Sequence, residues 1–81
     1  MPSQDQSDLV VLAGLLYQNL AKSFRAGERV WVETVLEEAR SILSQLEMDV
    51  RRAPNIVLAL QTGGYAKRYG KEYVLQENPD I

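Results

Sequence analysis

The clearest pattern in the sequence is a run of apolar residues that recur every three or four positions between Glu28 and Arg52. On a helical wheel they occupy one arc, roughly 120° wide, while polar residues occupy the rest. The members of this apolar arc are Val32, Val35, Leu36, Ala39, Ile42, Leu43, Leu46 and Val50. Neither Pro nor Gly interrupts the run, and Pro54 follows it. The pattern predicts one long amphipathic helix that ends before Pro54, because a residue preceding proline is biased away from α geometry.

A second apolar pattern predicts another helix from Ser7 to Ala26, just before Gly27. Its apolar arc is wider, roughly 180°, and yet Val11 and Leu15 still fall on the polar side. Two neighbouring aliphatic side chains outside the main arc indicate a second packing surface. We therefore predict that Val11 and Leu15 contact a partner, either a third helix or a second copy of the chain. The link around Gly27 is short, so the two helices are expected to pack antiparallel.

The C-terminal third contains a short apolar run, Ile56–Leu60, that Asn55 is placed to cap. Periodicity alone does not separate a buried helical turn from a short strand here, and the absence of a second strand candidate favours a helix. Tyr65, Tyr69 and Tyr73 then recur every four residues, which would stack them on one helical face. We expect this tyrosine face to lie on the helix pair and to contribute to partner binding.

The fold class predicted from these patterns is all-α: a long antiparallel helical hairpin with a shorter C-terminal helical segment. The helical domain is expected to span residues 7–75, with flexible tails at 1–6 and 76–81. A chain of 81 residues buries only a small core, and with no cysteine it has no disulfide to stabilise it. Dimerisation into a helical bundle is the expected source of further burial.

The residue types present argue against enzyme chemistry. The chain has neither histidine nor cysteine, which removes the commonest general base and the commonest metal ligands. The segment 64–71 differs from a phosphate loop, because five residues separate its glycines and Glu72 stands where Ser or Thr must bind magnesium. An acidic cluster on the long helix is interpreted as solvated surface; it comprises Glu33, Glu37 and Glu38. The sequence thus predicts a non-enzymatic protein without metal or cofactor.

Charge is unevenly distributed along the chain. Residues 1–50 carry eight acids and four bases, a balance of -4, whereas residues 51–81 carry five bases and three acids, a balance of +2. The net charge of -2 argues against a dedicated duplex-DNA binder, which is normally basic. The basic third nevertheless supports an alternative hypothesis, a nucleic-acid-associated regulator. Its candidate contacts are Arg51, Arg52, Lys67, Arg68 and Lys71.

The first functional hypothesis is a homodimeric protein–protein interaction module, such as a regulator, adaptor or assembly factor. It would bind another protein through the surplus apolar surface and the tyrosine face: Val11, Leu15, Tyr65, Tyr69 and Tyr73. A third hypothesis is an apolar-ligand pocket lined by Tyr17, Phe24 and Trp31. The longest apolar run, Leu9–Leu16, is far below the ~20 residues of a membrane span, and the acidic start is unlike a secretory leader. We therefore expect a cytoplasmic protein with no membrane partner.

Overall fold

The structure, a computed structural model, describes residues 3–76, with side chains from Asp8 onward, and these residues form three helices and three short strands. The elements are α1 (Ser3–Ser23), β1 (Arg29–Trp31), α2 (Val32–Gln45), α3 (Ala53–Thr62), β2 (Ala66–Tyr69) and β3 (Glu72–Leu75), with a 3₁₀ turn at Val50–Arg52 before α3. The strands form one antiparallel sheet in the order β1-β3-β2. The prediction of an all-α helical hairpin and bundle is therefore wrong, and the fold is α/β.

The predicted helix from Glu28 to Arg52 is three separate elements. Its first residues form β1, in which Val30 is buried between the exposed Arg29 and Trp31 and pairs with Tyr73 of β3. Valine and tryptophan favour extended backbone when one face can be buried in a sheet. The helical pattern itself is confirmed in α2, which buries the predicted residues Val35, Ala39, Ile42 and Leu43.

The end of α2 is determined by a backbone conformation that the sequence does not signal. Glu47 has a φ of 57°, in the left-handed region that glycine usually occupies at helix ends. The amide of Glu47 donates to the carbonyl of Ser44, and the amide of Met48 donates to the carbonyl of Leu43 at 2.8 Å. This pair of bonds is the Schellman arrangement, which satisfies the last carbonyls of the helix. The chain therefore turns after Leu46 and begins α3 in a new direction.

The predicted tyrosine helix is also wrong, because its residues form the hairpin of β2 and β3. Tyr69 pairs with Glu72 across the two-residue loop Gly70-Lys71. Gly70 has a φ of 65° at the first loop position, which is where a tight II′ hairpin turn places glycine. The sheet then buries Tyr73 against the helices and leaves Tyr69 exposed.

One chain closes this core without a second copy. α1, α2 and α3 each bury one face, and the inner side of the sheet covers them; the largest completely buried side chains are Leu16, Leu20, Val30, Val35, Leu43, Ile56, Leu60 and Tyr73. The helix predicted at Ile56–Leu60 is confirmed and extends to Ala53–Thr62. α1 already includes residues 3–6, which were predicted to be a tail. The predicted tail beyond Gln76 lies outside the described residues.

Candidate nucleic-acid interface

α3 has one buried face and one uncharged exposed face. Ala53, Ile56, Val57 and Leu60 point into the core at the spacing of a helical stripe. The exposed face carries amide, hydroxyl and aliphatic groups, with no charged side chain along the helix: Pro54, Asn55, Leu58, Gln61 and Thr62. Leu58 stands in the middle of this face with 58% of its surface exposed. A helix face of this composition has hydrogen-bonding groups on both sides of one apolar contact.

Two arginines immediately precede α3. The carboxylate of Asp49 accepts a hydrogen bond from the amide of Arg51 at 2.9 Å and is paired with the Arg51 guanidinium at 2.9 Å. These hydrogen bonds from Arg51 hold the pKa of Asp49 below its usual value. Arg52, the next residue, is half-buried at the start of the helix. Two guanidinium groups therefore lie at the end of α3 where the helix dipole is positive.

The β2–β3 hairpin adds a third arginine on the side that faces α3. Arg68 pairs with Tyr73 in the sheet register, and its guanidinium lies 5.8 Å from the centre of the Tyr73 ring. Its Nε also donates to the carbonyl of Gly70 at 2.8 Å. The side chain is thus held by the hairpin itself, and no acidic side chain among residues 8–76 pairs with it.

A groove joins the hairpin to the start of α3. It has a volume of about 490 Å³, and its lining combines Arg68 and Tyr73 of the sheet with residues of both helices: Val32, Leu36, Pro54, Asn55, Val57 and Leu58. Pro54 and Asn55 belong to the first turn of α3, next in sequence to Arg51 and Arg52. The groove places Arg68 beside the first turn of α3, the turn that follows the two arginines, although fifteen residues separate Arg68 from Arg52.

The two lysines of the basic set occupy the exposed parts of the hairpin. Lys71 is the second loop residue, and Lys67 lies on β2 on the outer side of the sheet, opposite in direction to Arg68. On that outer side Arg29 pairs with Glu72 at 3.1 Å and lies 5.6 Å from the Tyr69 ring. Arg68 lies beside the loop that carries Lys71, because its Nε donates to the carbonyl of Gly70, whereas Lys67 faces the other way.

The residues between Asp49 and Glu72 include basic side chains but no acidic ones. From Val50 to Lys71 the chain carries all five bases of the predicted set and no Asp or Glu. The two acids that border the segment, Asp49 and Glu72, are each paired with an arginine. The overall charge of -2 thus conceals a locally cationic surface around α3 and the hairpin.

The residues predicted to bind a protein partner are placed differently from one another. Val11 and Leu15 are exposed on α1, at 62% and 38% of their surfaces. Tyr65 and Tyr73 are buried in the core, so of the three tyrosines only Tyr69 is available for a contact. The helical face that would have joined the three does not exist.

The three aromatic residues of the ligand-pocket hypothesis lie in separate parts of the fold and do not line one pocket. Tyr17 lies 5.3 Å from the Tyr65 ring and donates from its hydroxyl to the carbonyl of Gln76 at 2.6 Å. Phe24 packs against the core, whereas Trp31 is exposed on the outer side of the sheet. Tyr17 has a structural explanation, because its hydrogen bond ties the end of β3 to α1.

Sequence reasoning did not find the exposed face of α3. The run Ile56–Leu60 was interpreted as buried throughout, and Leu58 was included in it. The signal was present: Ala53, Ile56, Val57 and Leu60 define a helical stripe from which Leu58 is excluded by its angle. Reading the polar residues around Leu58 with it would have indicated a two-sided helix.

Comparison with known proteins identifies no relative of this chain. No protein family, curated protein or solved structure matches the chain. Within residues 3–76, no helix is long and apolar enough to cross a membrane. The part of the chain that the structure describes also contains no group of three or more acidic side chains arranged to hold a metal ion.

Proposed function

We propose that this chain is a DNA-binding domain that presents α3 to the major groove and the β2–β3 hairpin to the adjacent backbone. The observation that carries the proposal is the groove in which Arg68 faces the first turn of α3, the turn that directly follows Arg51 and Arg52 in the chain and precedes an uncharged outer face. Backbone phosphates are bound by arginines and by helix N-termini, whereas base edges are read by amide, hydroxyl and methyl contacts.

The side chains on α3 suit base contacts in kind. Asn55 and Gln61 belong to the residue types that recognise adenine by paired hydrogen bonds, and an aliphatic side chain such as Leu58 contacts the thymine methyl group. α3 is ten residues long, about 15 Å at 1.5 Å per residue. That length crosses a major groove, which is ~12 Å wide.

The order of elements supports the same use of α3. α2 and α3 are consecutive helices, as in a helix-turn-helix motif, whose second helix enters the major groove; their connection, residues 46–52, is longer than the roughly three- or four-residue turn of that motif. A helix–strand–helix–helix–hairpin order with sheet order β1-β3-β2 is also that of winged-helix domains. This is a similarity of topology, and it supports the proposal without carrying it.

The test is binding of fluorescently labelled duplex DNA, followed by anisotropy at low and moderate salt with a pool of mixed sequences. The logarithm of affinity should fall linearly with the logarithm of salt concentration, with a slope of about -3 to -4 if about four phosphates are contacted. Lys71→Gln should weaken binding at every sequence and reduce that slope by about 0.9.

The matched control is Arg40→Gln, which removes one positive charge from the exposed side of α2. It should leave the salt slope unchanged, because Arg40 lies outside the proposed interface. Equal losses from Lys71→Gln and Arg40→Gln would mean that only net charge matters. No binding by the unaltered chain at low salt would remove the proposal altogether.

The homodimeric interaction module predicted from the sequence concerns a different surface, the outer side of α1. It stays a prediction, and so does the absence of enzyme activity.

A further inference from the structure

The outer side of α1 carries a stripe of exposed residues spaced alternately by three and four positions. This is the spacing that keeps side chains in line along a helix that packs against another helix. The members of the α1 stripe are Asp8, Val11, Leu15, Gln18 and Lys22, and all five are exposed.

The other described residues, up to Gln76, leave the α1 stripe exposed. On one flank Asn19 donates to the Glu38 carboxylate of α2 at 3.3 Å. On the other flank Val10 lines a groove together with Leu58 of α3. The stripe lies between these flanks, opposite the buried side of α1 that carries Leu16. It therefore faces away from both neighbouring helices.

The charges of the α1 stripe are arranged symmetrically about Leu15. Asp8 lies seven residues before Leu15, and Lys22 lies seven residues after it. If two α1 helices cross antiparallel at Leu15, Asp8 of each copy faces Lys22 of the other. We propose that a second copy of this chain docks on the α1 stripe in this antiparallel register, with the two Leu15 side chains at the two-fold axis.

The charges of the α1 stripe favour a second copy of the chain as the partner and an antiparallel orientation of the two α1 helices. A two-fold pairing uses the same patch twice, and the α1 stripe is self-complementary only when the helices are antiparallel. A parallel pairing would place Asp8 against Asp8 and Lys22 against Lys22. In the antiparallel pairing, the apolar centre of the stripe, Val11 and Leu15, is covered between two opposite-charge pairs.

The interface is small, so the dimer is expected to be weak. The stripe from Asp8 to Lys22 is about 21 Å long at 1.5 Å per residue, and each copy contributes two aliphatic side chains. Stable interfaces bury ~800 Å² on each partner, which is more than one short helix face supplies. Association should therefore be reversible and visible only as concentration rises.

The experiment is sedimentation equilibrium of the full chain without DNA, from about 5 to 500 µM, at moderate salt. The unaltered chain should shift from monomer toward dimer across this range. Leu15→Glu should weaken association by tenfold or more, because it places two carboxylates at the axis. Leu46→Glu, which adds the same charge at an exposed leucine after α2, outside both the α1 stripe and the proposed DNA interface, should leave association unchanged.

A charge exchange tests the register. Asp8→Lys and Lys22→Asp should each weaken self-association about tenfold, since each creates two like-charge pairs. The double variant Asp8→Lys/Lys22→Asp should restore it, and so should an equimolar mixture of the two single variants. Glu37→Lys and Arg40→Asp produce the same changes in net charge on α2 and should have no effect.

The antiparallel register and the identity of the partner are contradicted by different results. Association that is unaffected by the single charge variants would overturn the antiparallel register. A chain that stays monomeric at the highest concentration would overturn the second copy as the occupant. Because no DNA is present, either result leaves the DNA-binding proposal to its own test. Circular dichroism of each variant verifies that the exposed substitutions keep the fold.

Discussion

Glu47 is a position at which a single substitution should stabilise the protein. It ends α2 with a φ of 57°, and left-handed backbone costs a residue with a β-carbon roughly 1–2 kcal/mol. Glycine avoids that cost but loses more chain entropy on folding, by about 0.5–1 kcal/mol. The difference predicts that Glu47→Gly raises the free energy of unfolding by roughly 0.5–1 kcal/mol.

The side chain of Glu47 has little to lose in this substitution. The residue is exposed, and the pairing with Arg51 that helical spacing suggests is replaced by the pair between Arg51 and Asp49 at 2.9 Å. The capping bonds are made by the amides of Glu47 and Met48, so glycine keeps both of them. The gain therefore comes from the backbone alone.

Thermal unfolding followed by circular dichroism measures the effect. For a domain of this size the melting temperature should rise by about 2–8 °C. Glu47→Ala, which removes the carboxylate but keeps the β-carbon, should produce no such gain. Glu37→Gly makes the same substitution in the middle of α2 and should destabilise by ~1 kcal/mol. A Glu47→Gly variant that melts at or below the temperature of the unaltered chain would refute the reasoning.

Two further predictions concern the core and the turn before α3. Leu43 is completely buried in α2, so Leu43→Ala should lower the free energy of unfolding by about 2–5 kcal/mol in urea titrations; a loss below ~1 kcal/mol would contradict the packing. Asp49→Asn should destabilise the protein at neutral pH, because hydrogen bonds from Arg51 lower the Asp49 pKa. That contribution is present above the ordinary pKa of 3.8 and is lost as pH falls through the lower folded value, so the two melting curves should converge in acid. A difference that persists below that value would point to another cause.

The helices of this fold were predictable because each buries a face that repeats at the helical period. Val35, Ala39, Ile42 and Leu43 satisfy that period and are buried as expected. The end of α2 was not predictable, since a left-handed glutamate has no sequence signature comparable with glycine. Without that signal, the helical spacing of apolar residues continues through Leu46 and Val50, although both side chains are exposed in the structure.

The sheet was not predicted because β1 is short and because the spacing of the tyrosines fits a helix. β1 has three residues, too few for alternation to be distinguished from a helical pattern. Tyr65, Tyr69 and Tyr73 are spaced by four, which fits a helical turn, but the loop Gly70-Lys71 separates Tyr69 from Tyr73 and leaves Tyr69 exposed while Tyr73 is buried. The deciding signal is Gly70 at the first position of a two-residue loop, which is typical of a hairpin turn and conflicts with a continuous tyrosine helix.

The candidate site was predictable as a list of residues and not as a surface. The five bases were identified from the sequence, but a helical C-terminal segment separated them from the tyrosines and gave them no common target. The convergence of Arg68 with the start of α3 depends on the pairing of β2 with β3. The register of a hairpin is set by its turn, so this pairing depends on recognising Gly70-Lys71 as a turn and not as part of a helix.

The separation of charge along the chain has a consequence for how the proposed domain would meet DNA. α2 carries Glu33, Glu37 and Glu38, whereas the segment from Val50 to Lys71 carries bases only. A polyanion is repelled by the first surface and attracted by the second, so the orientation of approach is selected before any base is contacted. This arrangement lets a chain with a net charge of -2 retain a cationic binding face. An acidic total is therefore a weaker argument against DNA binding than it appeared from composition, because the phosphate backbone responds to the local field within about 10 Å at 0.1 M salt.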